Sequence, residues 1–137
     1  MAQNNEPGIQ DDGGVEPQIA RPNSITYIQI PADDPSAVAS FYASVFGWSK
    51  RGEGDHVSFG DASGYVIGAF VAGRRISREP GILPFVYVDS VDATLAKATA
   101  NGAKIVRPRY DEGGLWVATI RDPAGNVIGA WQMQPSG

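Results

Sequence analysis

The sequence predicts an α+β fold made of two tandem copies of one β-α-β-β-β module, and three observations carry that reading. The first is an internal repeat: "GYVIGAFV" begins at Gly64 and "GNVIGAWQ" at Gly125, 61 positions later. Asp61, Gly64, Val66, Ile67, Gly68 and Ala69 recur as Asp122, Gly125, Val127, Ile128, Gly129 and Ala130, with Phe70 answered by Trp131. The second is that each copy ends a group of three short β-rich runs. The third is that one amphipathic helix pattern precedes that group in each half. The period is too long for a solenoid, and two such copies usually close on a pseudo-twofold axis.

The elements follow in order. Residues 1–23, "MAQNNEPGIQDDGGVEPQIARPN", are polar, proline- and glycine-containing and without period, so they read as a flexible N-terminal extension. Order is expected to begin near Ser24. "ITYIQIP" alternates and is rich in β-branched residues, which predicts a strand ended by Pro31. "DDPSAVASFYASVFG" predicts a helix with Asp34 as N-cap and Pro35 in the first helical position. Val38, Phe41, Tyr42, Val45 and Phe46 form one apolar face, and Gly47 stands where a left-handed C-terminal residue is expected. Strands then read at about Trp48–Arg51, His56–Phe59 and Tyr65–Val71, the last two joined by "DASG".

"AGRRISREPGI" is a polar connector, after which the pattern restarts. "PFVYVD" is a strand. "SVDATLAKATANGAK" is a helix with Val91, Leu95 and Ala98 inward and Gly102 past its end. "IVRP", "GLWVATIR" and "NVIGAWQM" complete the second module, with "DPAG" as a type I turn. The chain divides into a first module at about 24–73, a connector at 74–81 and a second module at about 82–134, together one domain over 24–137.

Composition bounds the function. A chain of 137 residues, 42% hydrophobic, suits one domain with a real core. The longest weakly polar run, around "YVIGAFVAG", is far short of the roughly 20 residues a membrane helix needs. No basic n-region with an apolar h-region opens the sequence, so a cytoplasmic protein without membrane association is expected. The absence of cysteine excludes disulfides, thiolate nucleophiles and Cys-ligated zinc. Of the net charge of −4, residues 1–23 carry −3, through Glu6, Asp11, Asp12 and Glu16 against Arg21. A nearly neutral remainder gives no reason to expect nucleic-acid binding.

"IPADDPSAVASFYASVFGW" followed by "RDPAGNVIGAW" resembles the vicinal oxygen chelate superfamily of glyoxalase I, bleomycin-resistance proteins and extradiol dioxygenases. The resemblance covers about residues 24–134. It implies two βαβββ modules curling into a half-barrel around a cavity with the helices outside, and a homodimer, because the family pairs modules within or across chains. It also implies a divalent metal held by four inward ligands in the first and last strand of each module. By position those sites fall on Tyr27, Leu83, Gly68 and Gly129, none of them an ordinary ligand for that chemistry. A branch without a metal cofactor is therefore expected, unless the register is misread by two residues, in which case Gln29 offers a donor oxygen.

A mid-strand glycine marks a bulge or a close approach of a ligand or another backbone. Gly68 and Gly129 could thus open room for a flat ligand, or merely permit curvature and packing between strands. If the ligand positions point inward, alternation places Tyr27, Gln29, Leu83, Phe85 and Tyr87 in the cavity, with Val66, Phe70, Val127 and Trp131 beside the glycines, and Ile28 and Ile30 against the helix. Phe85 and Val127 read as core filling. The ligand-binding set is Tyr27, Gln29, Gly68, Phe70, Tyr87, Trp116, Gly129 and Trp131, with Trp116 as a lid at the cavity mouth.

The lone His56 could act as a general base, although a solvated strand end explains it as well. Asp111 and Glu112, like Arg74, Arg75 and Arg78, read as solvated charges. Two functions follow. The first is metal-independent binding of a hydrophobic or aromatic small molecule in the cavity between the modules, as in bleomycin-resistance proteins. The second is a lyase or isomerase of the glyoxalase kind, metal-dependent or using Tyr27, Gln29 or His56 for proton transfer.

Overall fold

The computed structural model describes residues 16–135. The chain divides into two compact units between Arg75 and Ile76, inside the expected connector. Each unit is a four-stranded sheet with one helix. Unit one runs β1 (Tyr27–Pro31), α1 (Pro35–Phe46), β2 (Ser49–Arg51), β3 (His56–Gly60) and β4 (Ile67–Val71). Unit two runs β5 (Phe85–Tyr87), α2 (Val91–Ala100), β6 (Lys104–Glu112), β7 (Leu115–Arg121) and β8 (Val127–Met133). The sheet orders are β1-β4-β3-β2 and β5-β8-β7-β6, with β1 parallel to β4 and β5 parallel to β8. This is the α+β, doubled βαβββ arrangement the repeat predicts.

Helix α1 ends as its sequence dictates. The Asp34 carboxylate accepts the Ala37 N–H at 3.2 Å, and Gly47 at φ 72° returns its N–H to the last turn. Its buried face, Val38, Ala39, Phe41 and Tyr42, meets an aromatic core. Tyr42 stacks on Trp48 and Phe70, and Trp48 stacks on Phe59, with ring centroids 4.7–5.3 Å apart. Burial of such a side chain is worth about 1.5–3 kcal/mol. Helix α2 is capped by Ser90 and buries Val91 and Ala98. The Gln132 side-chain carbonyl on β8 accepts the Val91 N–H at 2.7 Å, tying the start of α2 to its sheet.

The repeated hairpin is not used the same way twice. In unit one the Asp61 N–H donates to the Val66 carbonyl, enclosing residues 62–65; in unit two the Asp122 N–H donates to the Asn126 carbonyl, enclosing only 123–125. The loop of the first copy is one residue longer. A one-residue slip carries every side chain of a strand to the opposite face. Partner bonds confirm the slip: Ala32 N–H donates to the Val71 carbonyl, and Val88 N–H to the Trp131 carbonyl. The structural counterpart of Gly129 is thus Ala69 and not Gly68.

Three sequence expectations change. Residues 17–19, placed in a flexible extension, form a 3₁₀ turn with Ile19 buried at 4% exposure, so order begins before Ser24. Polar composition hid one apolar anchor. Residues 1–15 of that extension lie outside the described residues. Strand β6 runs well beyond "IVRP", because β7 offers it a partner along its whole length. Strand β4 starts at Ile67 instead of Tyr65, because the longer loop consumes Tyr65.

Candidate functional site

Each sheet has a face covered by its own helix and a far face. In unit one, Ile28, Ile30, Val57, Phe59, Gly68 and Phe70 share the helix face through the pairs Ile28↔Gly68, Ile30↔Phe70, Phe59↔Gly68 and Val57↔Phe70. Tyr27, Gln29, His56, Ser58, Ile67 and Ala69 take the far face. Tyr27 and Gln29 stand on that face, with Ile28 and Ile30 against the helix. Gly68 and Phe70 do not: Phe70 is fully buried between Tyr42 and Phe59. A Cβ on Gly68 would come within 2.0 Å of the Ile28 carbonyl oxygen and 2.4 Å of the Phe59 ring. Gly68 exists so that an aromatic core can close, and it opens no ligand space.

His56 is exposed and pairs with Val71, which pairs with Pro31. Tyr27 lies four positions earlier on β1, about 13 Å away along the strand direction. The three proton-transfer candidates are thus not gathered around one point. Gln29 is engaged elsewhere, its side-chain carbonyl accepting from Arg74 at 3.1 Å.

In unit two the slip reverses the pattern. Trp131 lies on the far face, paired with Val117 and in edge-to-face contact with Tyr87 at 4.9 Å. Gly129 joins it there, opposite Phe85 and Thr119. A Cβ on Gly129 would sit 2.2 Å from the Phe85 ring, so the glycine lets that ring lie flat on the sheet. Around it is a hollow of about 250 Å³ lined by Phe85, Glu112, Leu115, Val117 and Trp131. Tyr110, which pairs with Val117, stands beside it with the Arg107 guanidinium 3.4 Å from its ring centre. Partial burial raises the Tyr110 pKa, as do the hydrogen bond and charge of Glu112, while Arg107 pulls it the other way.

Trp116 is not a lid on this hollow. It pairs with Gln132 on the helix side, and the Arg109 guanidinium lies 4.1 Å over its ring. Arg109 is held in turn by Asp92 of α2 at 2.7 Å. Phe85, read from sequence as core filling, is the floor of the hollow, and Glu112, read as merely solvated, lines it. Leu115 and Val117 were not singled out. Alternation about Trp116 names both once the face of β7 is known.

The register also moves one of the superfamily's metal positions. Tyr27 corresponds to Leu83 and Gln29 to Phe85, since Gln29 pairs with Ala69 as Phe85 pairs with Gly129. The four positions become Tyr27, Leu83, Ala69 and Gly129, which supply a single phenol oxygen. Among the described residues, no three His, Cys, Asp or Glu side chains come together. This donor set does not fit a divalent ion, whose sites need imidazole or several oxygens.

Among the described residues no helix is long and apolar enough to cross a membrane. Comparison with known proteins agrees with the doubled module. Residues 24–129 match the family model of the Glyoxalase/Bleomycin resistance protein/Dioxygenase superfamily. A curated Mycobacterium bovis protein named "Putative glyoxylase CFP32" is 29% identical over 122 residues, covering 82% of this chain and 46% of that protein. The chain therefore spans about half the length of the curated relative it matches. Among solved structures, a family enzyme from Burkholderia phytofirmans PsJN superposes with TM-score 0.68 at 21% identity, over 79% of this chain and 97% of that one. Lactoylglutathione lyase from Agrobacterium tumefaciens gives 0.60 at 22% identity, over 81% and 94%. With two βαβββ units in sequence and a family match across most of its length, the chain belongs to the glyoxalase/bleomycin resistance protein/dioxygenase superfamily.

Proposed function

We propose that this protein binds a small planar aromatic or apolar molecule, without a metal, on the far face of the unit-two sheet. One observation carries the reading: the Phe85 ring lies flat over Gly129 with Trp131, Leu115 and Val117 beside it. Flat apolar floors with few polar groups suit aromatic ligands, which prefer offset or edge contacts with rings. The hollow, about 250 Å³, is just under the roughly 300–1,000 Å³ usual for small-molecule sites, so the ligand is small or only partly enclosed. Glu112 is the one charged lining residue and favours a ligand carrying a hydrogen-bond donor.

The test is a titration of the purified protein with one- and two-ring aromatics such as indole, quinoline and naphthol. Binding should quench tryptophan emission, and Trp131→Ala should weaken it by tenfold or more. No saturable binding by any of these compounds, or binding unaffected by Trp131→Ala, would retire the proposal. The other reading, a lyase or isomerase of the glyoxalase kind, is favoured by the name of the curated relative. It needs a proton-transfer group near the reacting atom, and Tyr27, Gln29 and His56 are spread along one sheet face. Metal analysis discriminates its metal-dependent form: below about 0.1 divalent ion per chain is expected, and one per chain would bring that form forward.

A further inference from the structure

The far face of unit one is treated differently from that of unit two, because a segment of the chain itself lies on it. The 3₁₀ turn Pro17–Ile19 places Ile19 against Ile67, and the two form one buried apolar cluster. Ile67 belongs to the far face, since its neighbours Gly68 and Phe70 take the helix face. The segment is fastened at its margins only. The Gln18 amide reaches the Gly64 carbonyl at 3.5 Å, and the Arg21 guanidinium reaches the Tyr65 carbonyl at 3.4 Å. The same guanidinium lies 4.9 Å from the Tyr65 ring centre. Asn23 then adopts φ 65°, a left-handed turn costly for a side-chain residue, which swings the chain into β1.

These contacts are few and individually weak. One isoleucine is the main apolar anchor, and exposed polar contacts add little. The backbone hydrogen bonds donated by Ile19, Ala20, Arg21 and Ser24 all close within the segment. Such a segment can open without the sheet unfolding. What lies beneath Ile19 has the character of a binding face. Ile67 lies directly under Ile19, Ala69 is the next far-face residue along β4, Tyr27 is half exposed beside Ile67, and the Gln29 carbonyl holds Arg74 at the edge.

We propose that residues 16–24 form a strap pinned by Ile19, and that its release uncovers a second ligand face on unit one. That face would take a flat apolar anion, its plane on Ile67, Ala69 and Tyr27 and its charge at Arg74. The reading does not depend on the unit-two hollow. In one unit the far face is covered by Phe85 lying over Gly129, in the other by Ile19 lying against Ile67.

The absence of cysteine makes a direct test possible. An Ile19→Cys/Ile67→Cys protein is oxidised to lock the strap and reduced to free it, and each form is titrated with 1-anilinonaphthalene-8-sulfonate, a flat apolar anion. The reduced form should gain one site per chain over the oxidised form, weakened about fivefold or more by Arg74→Ala and unaffected by Trp131→Ala. Loss of the redox-dependent site on Trp131→Ala would place that site on unit two and overturn the proposal. Equal stoichiometry in both redox states, insensitivity to Arg74→Ala, or failure to cross-link under mild oxidant would each overturn the proposal. Ile19→Cys alone guards against a misfolded double variant. Its thiol should be alkylated in native buffer far faster than the protein unfolds globally, and labelling limited by global unfolding would also overturn it.

Discussion

Two hairpins of nearly one sequence occupy opposite faces of their sheets. In unit one, Gly68 and Phe70 point into the aromatic core beneath α1; in unit two, Gly129 and Trp131 point away from α2. The cause is local. Asp122 is almost fully buried and its carboxylate accepts the N–H groups of Ala124, Gly125 and Asn126 at 2.9–3.0 Å, while the Asn126 amide returns to it at 3.2 Å. That clamp closes the loop at three residues. At the position of Asn126 the first copy has Tyr65, and Asp61 accepts from the backbone and hydroxyl of Ser63 instead. The loop relaxes to four, and the strand slips. A repeat thus conserves residues while exchanging their jobs: one copy builds a core, the other a surface that can meet a ligand.

The largest effect should come from changing loop length. Inserting a glycine between Gly125 and Asn126 while the Asp122 clamp holds the loop at three residues would move β8 on by one. Trp131 would turn under α2, into the place of Gln132, and Ile128 and Ala130, both now buried, would leave the core. No space exists there for an indole, and the cost should exceed about 4 kcal/mol, a large part of a typical 5–15 kcal/mol stability. Urea unfolding followed by circular dichroism should show a lost or strongly shifted transition. An unchanged midpoint would mean that the loop absorbs the residue and does not set the register.

Gly68→Ala comes next. The new methyl would meet the Ile28 backbone oxygen as well as the Phe59 ring, and backbone cannot swing aside. Overpacking of this kind costs about 1–3 kcal/mol or more, so a fall of about 3 kcal/mol in unfolding free energy is expected. A loss below about 1 kcal/mol would show that β1 and β4 are not so closely apposed.

How much of this was legible in the sequence follows from what each feature depends on. Helix α1 and its ends were readable, because Asp34, Pro35 and Gly47 act within a few residues of themselves. The faces of β1 were readable too, since alternation within one strand needs no partner. The face of β4 was not. Aligning the copies by identity puts Gly68 on Gly129, whereas hydrogen bonds put Ala69 there, and the difference rests on one amide, that of Asn126. The same error placed Phe70 in a ligand site. Ile19 was lost for another reason: one apolar residue in a polar stretch has no period to reveal it.

The clamp itself can be tested by pairing substitutions at equivalent positions. Asp122→Ala leaves three backbone donors of the turn without their acceptor, and hydrogen bonds to a charged group are worth about 1.5–3 kcal/mol. A loss of about 2–3 kcal/mol is expected in equilibrium unfolding. Asp61→Ala removes bonds to one exposed serine and should cost about 1 kcal/mol or less. Equal losses at the two sites would mean that the carboxylates play the same part and that the loops differ for another reason.

The smallest effect on stability should carry the clearest effect on function. In Gly129→Ala the three atoms nearest the added methyl all belong to the Phe85 ring, and that side chain is 44% exposed. Unlike the carbonyl facing Gly68, the ring can rotate off the sheet, while alanine recovers part of the roughly 0.5–1 kcal/mol that glycine costs inside a strand. The net change in unfolding free energy should stay within about 1 kcal/mol. The displaced ring, however, moves into the hollow between Trp131, Leu115 and Val117 and takes the volume an aromatic ligand would use. Titration followed by tryptophan emission should then show affinity reduced by tenfold or more in a protein of normal stability. A ring that cannot move would instead make Gly129→Ala as destabilising as Gly68→Ala. The two glycines would then both be packing devices, and the difference between the hairpins would lie in their register alone.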